Sequence, residues 1–257
     1  IYIINTCSVT QNADKEFKYL VNKVKKKNPK SSVVAIGCYA QLKPKKISQI
    51  SGVDLVVGAD KKFDVLNYIN LNNKENNNVH SCEINSVDFF KNSFSMGERT
   101  RSFLKVQDGC DYKCTYCTIP LARGKSRSGQ ILKLVENAKY LVSNGIKEIV
   151  LTGVNIGDFG IFDINSGVKE SNFLELIKHF NKIRNLARIR ISSIEPNLLS
   201  NEIIDFVFNS KKFVNHFHIP LQSGSDKILK LMKRRYLTRL YESRINKIKD
   251  LTPNCCV

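Results

Sequence analysis

The sequence has 257 residues, which is enough for one large or two medium-sized domains. Hydrophobic residues make up 42%, and no apolar run approaches the roughly 18 residues of a membrane helix, so we expect a globular protein with a core and no membrane span. The formal net charge of +18 favours a polyanionic partner, nucleic acid before others. The alternative explanation of this charge is an AT-biased genome, which would enrich Lys, Asn and Ile without any selection for RNA binding.

The first domain is predicted over residues 1–72 as an open α/β unit in which strands and helices alternate. Its strands are predicted at 1–4, 32–36 and 55–57, and its helices at 11–27, 42–50 and 62–69. The segments NTCSVT and GCYAQ are predicted as the loops that leave the first two strands. The polar, low-complexity run NLNNKENNN then predicts a linker over residues 73–97.

The second domain is predicted over residues 98–257, where the alternation of strand and helix restarts. Strands are predicted at 102–107, 148–152, 188–192 and 214–219, and helices at 130–143, 173–183, 199–208, 226–233 and 239–251. Gly145 is predicted to cap the first of these helices. Repeated right-handed βα units build a barrel or part of one, and four strands are too few to close it. The chain begins without Met and ends just after a helix, so we expect a fragment that is truncated at both ends.

Eight cysteines occur in the chain, and their grouping argues against disulfides. Cys110, Cys114 and Cys117 lie close together, and Cys255 and Cys256 are adjacent, which is poor geometry for a bridge. We therefore predict a reducing, cytoplasmic location with thiols that bind metal.

The spacing C-x3-C-x2-C of the triplet predicts an iron–sulfur site. It can hold three irons of a four-iron cluster and leave the fourth iron without a protein ligand. A structural zinc site normally takes four protein ligands. Such a zinc site, or a set of ordinary buried cysteines, is the alternative. The triplet also follows a predicted barrel strand, and in such barrels the active site lies at the C-terminal ends of the strands.

The triplet, with Tyr116 before its third cysteine, resembles that of the radical S-adenosylmethionine (SAM) superfamily. The segments NTCSVTQNAD, GCYAQ, TRSFLKVQDGCDYKCTYCTIPLARGKSRS, SSIEP and HFHIPLQSGSDKILKLMKR together resemble the methylthiotransferase family, in the family's order. NTCSVT and QDGCDYKCTYCTIPLARG are most similar to the branch that acts on threonylcarbamoyladenosine in tRNA. The fold class implied is an N-terminal open α/β methylthiotransferase domain followed by a partial (β/α) radical SAM barrel.

The resemblance implies an enzyme that adds a methylthio group to C2 of N6-threonylcarbamoyladenosine next to the anticodon of tRNA. One [4Fe-4S] cluster, held by Cys110, Cys114 and Cys117, would reduce SAM to a 5′-deoxyadenosyl radical, because C2 carries an unactivated C–H bond. A second [4Fe-4S] cluster would carry the sulfur. Cys7 and Cys38 match two of its three ligands, and the third would lie upstream of Ile1. A flavodoxin- or ferredoxin-like electron donor is a further implied partner.

Two alternatives remain open beside this interpretation. One is a methylthiotransferase of another branch, acting on isopentenyladenosine in tRNA or on a ribosomal protein. The other is a non-catalytic, metal-stabilised RNA-binding module. Cys82, Cys255 and Cys256 match no ligand of the family and are interpreted as incidental.

Further candidate residues follow the predicted strands and the cysteine triplet. Residues at strand exits are candidates for contacts with SAM: Gly153, Asn155, Ser193, Glu195 and Gln222. Three cations after the triplet form a basic strip that either contacts RNA phosphates or is a solvated loop: Arg123, Lys125 and Arg127. The same two possibilities hold for three cations at a helix end: Lys233, Arg234 and Arg235. His216 and His218 alternate along a predicted strand, where packing or hydrogen bonding is favoured over a metal pair.

Overall fold

The chain forms two compact units in a computed structural model that describes residues 1–7, 11–72, 78–97 and 100–257. The first unit contains Ile1–Val87 and Thr118–Gly124, and the second contains Asp88–Cys117 and Lys125–Val257. The chain therefore leaves the second unit directly after Cys117 and returns to it at Lys125. The predicted linker, 73–97, includes the division at Val87; its residues 73–77 lie outside the described part of the chain.

The first unit is built on a parallel sheet. Its strands, in spatial as well as chain order, are β1 (Tyr2–Thr6), β2 (Val33–Gly37), β3 (Leu55–Val57) and β4 (Val79–His80). Its helices are α1 (Gln11–Lys27), α2 (Cys38–Leu42), α3 (Pro44–Ser48), α4 (Val65–Asn72) and α5 (Ile119–Arg123). Phe17 and Val21 of α1 are buried against strand residues such as Val33 and Ala35, as the helical spacing of the apolar residues predicts.

Two element predictions for this unit are wrong in detail. Residues 38–41, predicted as part of a loop, belong to α2. The single helix predicted at 42–50 is divided, because Leu42 ends α2 and α3 begins at Pro44. Proline has no amide hydrogen and is tolerated in a first helical turn, so it starts a new helix there instead of extending α2. In addition, a 3-10 turn at Lys62–Asp64 precedes α4, and β4 adds a fourth strand from within the predicted linker.

The second unit contains a four-stranded sheet whose parallel strands alternate with helices along the chain. Its sheet has the order β10 (Arg188–Ile191), β9 (Glu148–Thr152), β6 (Arg101–Lys105), β5 (Ser93–Phe94), in which β6, β9 and β10 are parallel and β5 is antiparallel. A separate antiparallel ribbon pairs β7 (Gln107–Asp108) with β8 (Arg127–Ser128). The helices are α6 (Ile131–Ser143), α7 (Phe173–Asn181), α8 (Asn201–Asn209), α9 (Asp226–Leu231) and α10 (Thr238–Leu251). The predicted α/β fold class is confirmed.

The strand predicted at 214–219 is replaced by isolated parallel bridges. Phe213 bridges to Ile189 and His218 to Ser193, so this segment still runs beside β10. The strand predicted at 102–107 is divided between β6 and β7.

Local signals position the helices of this unit. Asn172 and Ser200 accept hydrogen bonds from the third residue into α7 and α8, which satisfies amides that have no partner within the helix. Gly145 has φ 88° and follows α6, and its amide donates to Val142 O at 3.0 Å, so the predicted cap is confirmed.

Among the described helices, none combines the length and apolar character that a bilayer crossing requires.

Candidate cluster-binding site

The cysteine triplet lies on the loop that leaves the β6–β7 segment of the second unit, and we call residues 109–117 the cysteine loop. All three thiols are free and partly buried. The Cys117 amide donates to Cys114 O at 3.1 Å, and the Tyr112 amide donates to Cys110 Sγ at 3.4 Å. Burial raises the pKa of the Cys110 thiol to about 11; the Tyr112 amide opposes this rise and the neighbouring Cys117 adds to it.

The donor set, three cysteine thiols on one loop, fits an iron–sulfur cluster. Among the described residues, no three His, Cys, Asp or Glu side chains converge closely enough to hold one metal ion. In a four-iron cluster each cysteine binds a different iron, so its sulfurs need not converge on one point. Thiolates are the ligands that such clusters take, and cluster binding here would release the thiol protons.

Gln107, which precedes the cysteine loop, is a buried hydrogen-bonding centre that the sequence analysis did not single out. Its side chain is 0% exposed. Nε2 donates to Gly109 O at 2.8 Å and to Asp108 O and Ser126 Oγ at 3.0 Å, while Oε1 accepts from the amides of Val154 at 3.0 Å and Asn155 at 2.9 Å. One amide side chain thus joins the start of the cysteine loop to Ser126, which precedes β8, and to the loop that leaves β9.

Gly153 gives this side chain its space. A Cβ at position 153 would lie 2.9 Å from Gln107 Oε1, so the close approach of the two strand exits requires glycine. Gly153 was predicted as a SAM contact, but its packing against Gln107 already explains why this residue is a glycine, without any bound ligand.

The basic strip predicted after the triplet does not behave as a unit. Lys125 is exposed, whereas Arg127 is only 5% exposed and lies on β8 with its Nη2 3.5 Å from Asp108 Oδ2. Lys105 Nζ contacts the same carboxylate at 3.2 Å. The hypothesis that Arg127 faces RNA needs correction, because a buried carboxylate requires a cation and Arg127 supplies one. Arg123 is half-buried and belongs to the first unit.

A cluster of polar side chains lies around Tyr112 of the cysteine loop in the second unit. Tyr112 is buried, its hydroxyl accepts from Asn197 Nδ2 at 2.7 Å, and the Arg235 guanidinium stacks 3.9 Å from the centre of its ring. The Asn155 amide is buried near the same hydroxyl, yet neither of its polar atoms makes a hydrogen bond of ordinary geometry. A buried amide without partners costs free energy, so Asn155 is a good candidate to bind a polar ligand.

Asp158 adds a half-buried carboxyl to this cluster. Burial raises its pKa, and the hydroxyl of Ser126 opposes the rise. The remaining predicted SAM contacts differ in exposure. Ser193 is half-buried at its bridge to His218, and Gln222 is exposed with φ 64°.

Glu195, also predicted as a SAM contact, forms an ion pair with Arg234. The Arg234 side chain is 5% exposed and also reaches the cysteine loop, where Nη1 lies 3.3 Å from Cys114 Sγ. Sequence reasoning named Arg234 as one of three helix-end cations and missed this contact. The only signal was the cluster of cations after α9, which does not show which of them is buried.

In the first unit, Cys7 and Cys38 follow neighbouring parallel strands. Thr6 of β1 is paired with Gly37 of β2, so the two cysteines leave the same edge of the sheet from adjacent positions. Cys38 opens α2, and Thr6 Oγ1 ties this edge together by donating to Ile36 O at 2.6 Å. Cys7 is exposed and Cys38 partly buried. Their proximity in the sheet is what two ligands of one cluster require.

Cys82 follows β4 of the same sheet, and β4 is not adjacent to β1 or β2. Gln41 holds this exit by donating to Cys82 O at 2.8 Å and accepting from the Ala59 amide at 2.7 Å. Among the described residues, His216 and His218 are not part of any metal-binding group.

Comparison with known proteins agrees with this geometry. Residues 104–257, more than half of the chain, match the radical SAM superfamily. The chain belongs to the radical SAM superfamily. Residues 1–58 match a second family, described as uncharacterized protein family UPF0004.

Curated relatives match almost the whole chain. The threonylcarbamoyladenosine tRNA methylthiotransferases MtaB of Bacillus subtilis and Aquifex aeolicus are 38% and 37% identical to it, over 100% and 98% of the chain. A tRNA-2-methylthio-N(6)-dimethylallyladenosine synthase of Thermodesulfovibrio yellowstonii is 31% identical over 100% of the chain. The chain spans 57%, 61% and 58% of the lengths of these three proteins. The resemblance to methylthiotransferases predicted from the motifs is confirmed.

Solved structures support the fold. The radical SAM methyltransferase TsrM of Kitasatospora setae, solved with tryptophan and a SAM analogue, matches 96% of the chain with a TM-score of 0.68 and 11% identity, over 54% of its own length. The cobalamin-dependent SAM radical enzyme OxsB matches 98% of the chain with a TM-score of 0.52 and 12% identity, over 39% of its length. At such identities the likeness concerns the fold alone.

Proposed function

We propose that the chain forms the catalytic units of a tRNA methylthiotransferase that acts on C2 of N6-threonylcarbamoyladenosine. The observation that carries this proposal is the cysteine loop. Three free thiols lie together at the carboxyl end of a barrel strand, in a radical SAM unit preceded by a sheet with two further cysteines at one edge. Four relatives that carry the threonylcarbamoyladenosine name are 36% to 38% identical to the chain, and dimethylallyladenosine synthases are 31% to 34% identical.

The residues present fit one cluster with SAM and two of the three ligands of a second cluster. Cys110, Cys114 and Cys117 would hold the first cluster, and Cys7 and Cys38 would contribute to the second. With SAM bound, the first cluster supplies the one-electron reduction that generates a radical able to break an unactivated C–H bond.

The protein's own contribution is to bind and orient. Asn155 offers a buried amide donor and acceptor to SAM, and Ser193, Glu195 and Gln222 line the neighbouring strand exits as further candidates. Lys125 is exposed at the point where the chain returns to the second unit, and a cation there attracts RNA phosphates. The net charge of +18 supports the same kind of partner. A flavodoxin- or ferredoxin-like protein would donate the electrons.

Anaerobic reconstitution tests the site. We expect the wild-type chain to take up iron and acid-labile sulfide, and its reduced cluster to change its electron paramagnetic resonance (EPR) spectrum when SAM is added. Cys114→Ala should lose this signal, whereas Cys256→Ala, which removes an exposed thiol outside the loop, should retain it. Zinc uptake without sulfide would favour the RNA-binding module instead.

Nucleoside mass spectrometry of tRNA from a deletion strain tests the substrate. We expect loss of the 2-methylthio form of threonylcarbamoyladenosine and its return on complementation with the intact gene. Persistence of that form, with loss of the 2-methylthio isopentenyladenosine form, would assign the protein to the other tRNA branch. Persistence of both forms would contradict a role in tRNA methylthiolation.

A further inference from the structure

Arg234 is brought to the cysteine loop by the chain reversal that ends α9. Lys233 adopts a left-handed conformation with φ 57°, and the Arg234 amide donates back to Leu229 O at 2.9 Å. The backbone of the two segments also meets, since the Thr115 amide donates to Met232 O at 3.3 Å. The reversal therefore directs the guanidinium towards the middle of the cysteine loop.

The guanidinium joins three groups of the second unit. Nη1 donates to Cys114 Sγ at 3.3 Å and to the Tyr116 hydroxyl at 3.0 Å, and Nη2 donates to the Glu195 carboxylate. Burial lowers the pKa of this guanidinium, but the bond to Glu195 more than offsets the effect, so Arg234 stays protonated. A surface cation that binds RNA would not be 95% withdrawn from solvent, and the side chain here is only 5% exposed.

We propose that Arg234 is a positioning residue that raises the reduction potential of the cluster by donating a charge-assisted N–H···S hydrogen bond to Cys114. The inference rests on the proposed function, because it assumes that Cys114 binds a cluster iron. Glu195 holds the guanidinium in place and partly cancels its charge.

The direction follows from electrostatics. Reduction adds one negative charge to the cluster, and part of that charge lies on the cysteine sulfurs. A cationic donor at one sulfur stabilises the reduced state more than the oxidised state, so the potential rises. The planar fork of arginine can serve Cys114 and Glu195 at the same time, whereas the ammonium of lysine cannot reproduce this geometry.

Potentiometric titration of anaerobically reconstituted chain, followed by the EPR signal of the reduced cluster without SAM, tests the proposal. In Arg234→Gln we expect the ratio of reduced to oxidised cluster at a fixed potential to fall about tenfold, which is about 59 mV for one electron. Arg234→Lys should fall between Arg234→Gln and the wild type. Lys233→Gln removes the neighbouring exposed cation and should leave the potential unchanged.

A second variant keeps the proposal testable if Arg234→Gln does not retain its cluster. Glu195→Gln removes the opposing negative charge and leaves the guanidinium, so the potential should rise. A potential that stays unchanged or falls in Glu195→Gln would overturn the proposal, as would an unchanged potential in a cluster-loaded Arg234→Gln. If the wild-type chain itself takes up no cluster, the proposed function fails, and that result is distinct from either of these.

Discussion

Replacing the buried Gln107 by leucine should weaken the second unit and disorder the entrance to the cysteine loop. The substitution shortens the side chain by one heavy atom and removes both of its polar groups. The amides of Val154 and Asn155 would lose their acceptor, and the Asp108 and Gly109 carbonyls would lose their donor. Leucine can satisfy none of them.

The magnitude follows from the two amide donors. A buried donor left without a partner costs about 1–3 kcal/mol, so the two amides together cost about 2–6 kcal/mol. The greater hydrophobicity of leucine offsets part of this, and we expect a net loss of about 3 kcal/mol in the free energy of unfolding. Because domains of this size are stable by about 5–15 kcal/mol, the variant should still fold.

Urea unfolding followed by circular dichroism measures the loss, and hydrogen exchange with mass spectrometry locates it. Exchange should rise in peptides that contain residues 154 and 155. Gln130→Leu is the matched control, since Gln130 is exposed and its side chain makes no capping bond; its effect should stay within about 0.5 kcal/mol. A loss below about 1 kcal/mol in Gln107→Leu, with unchanged exchange at these amides, would refute the reasoning.

Four other substitutions test the roles assigned to individual residues. Arg127→Gln should lower the stability of the second unit by about 2–3 kcal/mol, because it weakens a buried pair with Asp108, while Lys125→Gln should reduce tRNA affinity in a filter-binding titration and leave unfolding unchanged. Gly37→Ala should cost about 1–3 kcal/mol in the first unit, since φ is 101° and a Cβ would lie 2.4 Å from a backbone oxygen; an unaltered urea midpoint would contradict this. Burial alone would raise the pKa of Glu148, but Arg188 and Arg190 of β10 lower it by more. The net pKa of Glu148 is therefore below that of an unfolded glutamate. The stability that Glu148 contributes is therefore present above the unfolded pKa and lost as pH falls through the folded pKa. Glu148→Gln should flatten this acid-side dependence, and an unchanged slope below about pH 4.3 would show that the pair contributes nothing.

The elements that the sequence predicts best are those whose burial is visible in local periodicity. The bounds of Gln11–Lys27, Leu55–Val57 and Glu148–Thr152 agree with the structure. The errors at 38–41 and 214–219 have a different origin. A helix of one turn, such as α2, has too few residues for a periodic signal. An extended segment becomes a strand only if it forms regular hydrogen bonds with a neighbouring strand, and the sequence does not show those bonds.

The candidate site divides in the same way. The spacing of the three cysteines predicts a cluster site, and the strand predicted just before them places this site at a strand end. The burial of Arg127 and Arg234 could not be predicted, because each is decided by a carboxylate far away in the chain, Asp108 for one and Glu195 for the other. In a chain with 41 Lys and Arg residues, the buried cations are indistinguishable by sequence from the solvated majority.

The contacts of the cysteine loop imply an order of assembly. Gln107 fixes the start of the loop through amides that follow β9, and Arg234 fixes its middle through a side chain that follows α9. Neither restraint exists until distant parts of the second unit have folded, so in the unfolded chain Cys110, Cys114 and Cys117 are three thiols on a loop without fixed geometry. Metal sites whose ligands are ordered by folding bind the folded state more tightly, and binding in turn stabilises that state. Cluster insertion should therefore raise the urea midpoint of the second unit and protect the amides at residues 154 and 155 from exchange. Protection confined to the cysteine loop itself would show that the cluster organises its ligands without the restraint from Gln107.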